Sequence, residues 1–142
     1  MTYKIEVMTL PVSDVDRALA FYTDQAGFTL DVDYKPSSEF RAVQLTPPGS
    51  NCSVQFGVGL TDAIPGSIRG LHTVVEDLEA AHEQLTSRGV NVSNIRHKSP
   101  VDDWRGGWEL GLDPHRSDYA SFADFTDPDG NQWVLQERGF QE

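Results

Sequence analysis

The chain has 142 residues with 38% hydrophobic, 10% aromatic and 23% charged side chains, a balance that fits one domain or two small fused modules and excludes wholesale disorder. Eleven Lys and Arg stand against 22 Asp and Glu, a formal net charge of −11, and without a basic cluster this argues against nucleic acid and anionic membranes as partners. No apolar run is long enough to span a bilayer, and residues 1–6 do not read as basic then apolar, so a secretory signal is not expected. Cys52 is alone, which excludes an intramolecular disulfide and a multi-cysteine zinc site, so the expected setting is the cytoplasm.

Residues 3–12 (YKIEVMTLPV) alternate and carry β-branched side chains, predicting a strand closed by Pro11. Ser13 with Asp16 reads as a weak capping box, and Asp14 and Asp16 sit where a helix dipole favours carboxylates. Val15, Ala18, Leu19, Tyr22 and Ala26 then recur at helical spacing, with Gly27 as the stop. Three strands are expected at 28–34, 40–46 and 52–58, with turns at Pro36-Ser37-Ser38 and Pro47-Pro48-Gly49-Ser50. Residues 60–70 read as a linker.

The pattern then repeats. Val12-Ser13-Asp14-Val15-Asp16-Arg17-Ala18 recurs as Val75-Glu76-Asp77-Leu78-Glu79-Ala80-Ala81. A second helix is expected at about 77–88, with Leu78, Ala81 and Leu85 inside and Gly89 as its stop. Strands are expected at 90–97, 119–126 and 131–137, the last two joined by the turn Asp127-Pro128-Asp129-Gly130. The fold class is therefore α+β: one domain over 1–142 made of two βαβββ modules, 1–60 and 70–138. Residues 98–118, with Trp104, Gly106, Gly107 and Trp108, break the symmetry and read as a long irregular segment, either functional or a flap packing its tryptophans.

The openings LPVSDVDRALAFY and VVEDLEAA and the closing FTDPDGNQWVLQE resemble the vicinal oxygen chelate superfamily, which includes glyoxalase I, extradiol dioxygenases, fosfomycin-resistance enzymes and bleomycin-resistance binding proteins. The resemblance covers nearly the whole chain, least well at 98–118. It implies a curved, half-open sheet around a ligand cavity and a homodimer. Metal-dependent members place inward His, Glu or Gln ligands on the first and last strands of each module. The matching positions here fall on Val7, Gly70 and Val134, with the fourth near Gln55. Three of these have no side-chain donor, so the resemblance implies no metal at the usual place, and no cofactor is expected. A site displaced by two residues would recruit His72 and Gln136 together with Gln55.

Other candidates come from the residues themselves. His115 and Arg116, close to Asp118 and Tyr119, have the composition for proton transfer or anion binding. Trp104, Trp108, Phe122 and Phe56 are either stacking surfaces for a flat ligand or ordinary core. His82 and His97 read as surface residues, and Cys52 as a small buried thiol. Phosphate loops of Walker or dinucleotide type and a G-x-S-x-G elbow are absent from the sequence. The leading expectation is a cytoplasmic, homodimeric small-molecule-binding protein of glyoxalase/bleomycin-resistance type, used for sequestration or metal-free chemistry. The alternative is a metal-dependent lyase, isomerase or dioxygenase with the displaced site.

Overall fold

Alternating apolar residues bounded by turn formers become strands in both halves of the chain. The computed structural model describes residues 1–142, which divide into two units, 1–68 with 127–131 and 69–126 with 132–142. No helix is long and apolar enough to cross a membrane.

The first unit contains β1 (Val7–Thr9), α1 (Val15–Ala20), β2 (Thr29–Ser37), β3 (Phe40–Thr46) and β4 (Ser53–Val58). Its sheet runs β1-β4-β3-β2, with β1 parallel to β4 and the other pairs antiparallel. The expected strand at 3–12 shortens to three residues, because β1 is an edge strand whose one neighbour, β4, begins only at Ser53. β2 runs through Pro36 instead of turning there. It too is an edge strand, where a residue without an N–H costs no ladder bond.

Asp14, not Ser13, caps α1, accepting from the Arg17 N–H at 3.0 Å. Ser13 is drawn to Asp129 instead, its hydroxyl donating at 2.6 Å. After Ala20 the helix widens into a π-type turn, Phe21–Gln25, which brings both Phe21 and Tyr22 into the core. Tyr22 packs against Phe28 and Phe56, and its hydroxyl donates to buried Asp127 at 2.8 Å. The other Asp127 oxygen accepts the N–H groups of Asp129, Gly130 and Asn131, which shapes the predicted turn. Gly66 lies beneath this turn at φ 79°, and a Cβ there would meet the Asp129 carbonyl oxygen at 2.0 Å. Leu10, Val43, Leu45 and Phe56 complete the core, each such burial contributing about 1.5–3 kcal/mol.

The second unit contains β5 (Leu71–Val75), α2 (Leu78–Ser87), β6 (Arg96–Ser99), β7 (Gly107–Leu110), β8 (Ser121–Thr126) and β9 (Gln132–Glu137). The sheet order is β5-β9-β8-β6-β7, with β5 parallel to β9. Without β7 this is the topology of the first sheet, so each half is a βαβββ module in an α+β fold. Asp77 caps α2 as Asp14 caps α1, accepting from the Ala80 N–H at 3.0 Å. Leu78 and Leu85 from α2 join Ala123, Phe125, Trp133 and Leu135 in the core, where the Phe125 and Trp133 rings stack.

Two expectations need correction here. Residues 90–97 are strand only from Arg96 onward. Ser93 takes the Asp124 N–H on its hydroxyl and gives its own N–H to the Asp124 carbonyl, so the contact exists without a continuous ladder. The segment 98–118 is not irregular throughout: β6 and β7 form a hairpin in register Arg96 with Leu110 and Lys98 with Trp108.

Candidate ligand-binding site

Strand alternation sorts the second sheet into two faces. Ser121, Ala123 and Phe125 of β8 turn toward the core, and Phe122 and Asp124 turn the other way. Register then puts Arg96, opposite Phe122, on that open face, followed by Lys98 and its hairpin partner Trp108. On the far side of β8 it adds Gln136 and Val134 from β9, and Val74 and His72 from β5. Four of the sequence candidates, His72, Trp108, Phe122 and Gln136, thus lie in register on this face, and Trp104 is in contact with it.

The aromatic groups form an edge-to-face chain. Trp108 meets Phe122 at 5.2 Å and 88°, and Trp104 meets Trp108 at 5.5 Å and 65°. Phe122 is 6% exposed, but Trp104 and Trp108 are 45% and 43% exposed, a large apolar area at solvent. Their placement depends on the hairpin. A Cβ at Gly107 would lie 2.7 Å from the Ser99 carbonyl oxygen, so only glycine lets β7 approach β6 so closely. The Trp104 indole N–H donates to the Gly107 carbonyl at 2.9 Å. On the reverse face, His97 lies between Gly111 O at 2.8 Å and Glu109 Oε2 at 3.2 Å. It is buried, contrary to the surface role expected, because it ties β6 to β7.

Two cations border the rings. Arg96 lies 4.8 Å from the Trp108 centroid and pairs with Asp124. The Lys98 ammonium lies 5.2 Å from Trp104 and 5.4 Å from Phe122. Arg96 and Lys98 were missed in the sequence, where their spacing of two was legible but the hairpin that gives it meaning was not. His72 is exposed, with Nδ1 2.9 Å from the Gly70 carbonyl oxygen. Gln136 donates its amide N–H to the Tyr119 carbonyl at 3.1 Å.

The remaining candidates lie elsewhere. Gln55 belongs to the first sheet, opposite Thr9, and donates to the Thr9 hydroxyl at 2.9 Å. Arg116, at φ 49°, bonds the fully buried Glu137 at 2.6 and 3.1 Å, reaches Asp77 at 3.2 Å, and lies over the Phe140 ring. Its hydrogen bond to Glu137 raises the guanidinium pKa further. The Asp77 carboxyl is held below its usual range, first by the Ala80 N–H and then by Arg116. Arg116 therefore joins the last strand to the start of α2. His115 is exposed, and Tyr119, at φ 63°, gives its N–H to the Glu137 carbonyl. Phe56 is core, and Cys52 lies just before β4 and is half-buried rather than the buried thiol expected.

The donor set does not fit a divalent ion at the positions the resemblance implied. Val7, Gly70 and Val134 offer no side-chain donor, which leaves the Gln55 amide oxygen as the lone side-chain donor among the four. Nowhere in the chain do three His, Cys, Asp or Glu side chains gather as a metal site would require.

With this geometry in hand, the family model described as Glyoxalase/Bleomycin resistance protein/Dioxygenase superfamily matches residues 4–135. The chain belongs to that superfamily. Among solved structures, this superfamily member is similar to TnmS3, an antibiotic binding protein from Streptomyces sp. CB03234, with 29% identity, a TM-score of 0.71 and 96% of each chain covered. A superfamily protein from Sphaerobacter thermophilus matches with 27% identity and a TM-score of 0.72, over 96% of this chain and 98% of its own. The uncharacterized protein YetH of Bacillus subtilis is 23% identical over 140 residues, 96% of this chain and all of its own length. These matches agree with the α+β fold of paired βαβββ modules.

Proposed function

We propose that this superfamily member binds a flat aromatic small molecule on the open face of its second sheet and sequesters it without transforming it. The observation that carries the reading is the pair of half-exposed indoles, Trp104 and Trp108, fixed on a glycine-dependent hairpin beside Phe122. Large apolar area held rigid at solvent is the composition of a binding surface. The likeness to an antibiotic binding protein at 29% identity supports it. In this reading Trp104 and Trp108 contact the ring with Phe122 packed beneath them, Gln136 lines the same face across β8, and His72, four strands from Trp108, marks the far end of the face. The protein acts in the cytoplasm as a homodimer without a cofactor. The metal-dependent alternative would need His72, Gln136 and Gln55 as ligands, one imidazole and two neutral amide oxygens, a weak donor set for a divalent ion.

A thermal-shift screen of planar aromatic compounds tests the proposal, since a ligand that binds only the folded state raises Tm by mass action. Hits whose shift disappears in the Trp104→Ala/Trp108→Ala variant support it. Hits that shift the variant equally, or turnover of a hit by the purified protein, contradict it.

A further inference from the structure

The two cations on the open face differ in one respect. Arg96 gives both terminal nitrogens to Asp124, at 3.1 and 3.2 Å, so its charge is balanced inside the fold. Lys98 lies two residues along the same strand, and its ammonium has aromatic rings for neighbours and no carboxylate partner. The other two lysines, Lys4 and Lys35, are exposed, whereas Lys98 is half-buried. An ammonium seated against aromatic rings and unmatched by an anion is a ready partner for a carboxylate. In a chain of net charge −11, such a group beside the indoles is a specific feature of this face.

We propose that the ligand class is planar aromatic acids. The ring lies against Trp104 and Trp108, and the ionised acid pairs with Lys98 Nζ. The inference rests on the binding face proposed above and adds the charge of its ligand. Arg96 contributes its flat guanidinium to the stacking surface, while Asp124 cancels its charge and leaves Lys98 as the anion's partner.

The test compares 2-naphthoate with 2-naphthamide, which share a shape and differ by one charge, using calorimetric titration at pH 7. The wild type is expected to bind the acid at least tenfold more tightly, about 1.4 kcal/mol. Lys98→Met keeps the apolar stem and removes the charge. It is expected to bring the ratio of the two Kd values to within twofold of one. Lys98→Arg is expected to retain a preference for the acid. Equal binding of the two compounds by the wild type, or a preference that survives in Lys98→Met, overturns the acid assignment and leaves aromatic binding standing. Failure of both compounds to bind at millimolar concentration overturns the aromatic face itself, and this inference with it.

Discussion

Replacing both hairpin tryptophans by alanine should remove affinity while leaving the fold in place. Trp104 and Trp108 are 45% and 43% exposed, so each leaves on the order of 100 Å² at solvent, given the 150–250 Å² such side chains bury when enclosed. A flat ligand covers about half of that on each indole, or roughly 100 Å² in all. At about 25 cal/mol per Å² this contributes about 2.5 kcal/mol, a factor of about 70 in Kd. The stability cost of the double variant is smaller, below about 2 kcal/mol, because neither indole is enclosed. Calorimetric titration with 2-naphthoate measures the first quantity and urea unfolding the second. A Kd within threefold of wild type, with stability reduced, would show that the tryptophans only pack and would refute the reasoning.

The remaining predictions concern the scaffold. Arg116→Ala leaves the fully buried Glu137 carboxylate without its cation and should lower stability by about 3 kcal/mol in urea unfolding. Its ligand affinity should stay within twofold of wild type. The Asp77 carboxyl has a folded pKa below its unfolded value, so its contribution is present above about pH 4 and is lost as pH falls through the folded pKa. Asp77→Asn keeps a capping residue and should flatten the acid limb of urea midpoints measured from pH 7 to pH 3. Gly66→Ala places a Cβ 2.0 Å from a carbonyl oxygen at positive φ and should destabilise by at least about 2 kcal/mol. Light scattering at micromolar concentration should give twice the 15.8 kDa chain mass, and a monomer would remove the homodimer from the proposal.

Much of the fold was legible because periodicity and turn chemistry report on local structure. The spacing of Val15, Ala18 and Tyr22 marked α1, Gly27 and Gly89 take positive φ where the helices were expected to stop, and β3, β4, β8 and β9 lie close to their expected places. Failures arose where a distant residue decided a local outcome. Ser13 cedes the cap to Asp14 because Asp129, more than a hundred residues on, takes its hydroxyl. The π-type turn shifts which residues are buried without disturbing the apolar spacing before it. β7 has only four residues, with Gly107 among them, too short for alternation to register.

The candidate site divides along the same line. Trp108, Phe122, His72 and Gln136 share a face because β5, β6, β7, β8 and β9 are in regular register, which a period of two encodes. His115, Arg116 and Tyr119 were linked only by adjacency in sequence. Positive φ at Arg116 and Tyr119 turns the chain there, and Arg116 goes to Glu137. Lys98 escaped notice because its significance comes from rings at positions 104 and 122, which only the hairpin and the sheet bring beside it.

The central claim, that the open face of the second sheet binds a flat aromatic ligand, can be tested directly by an NMR titration of the tryptophan indole N–H signals with 2-naphthoate. The chain has three tryptophans, and Trp133, 3% exposed in the core, is the internal control. The account predicts that the Trp104 and Trp108 signals move together and saturate with one Kd, along with backbone amides of β6, β7 and β8, while Trp133 stays fixed. Shifts confined to other parts of the chain, with Trp104 and Trp108 unmoved, would contradict it.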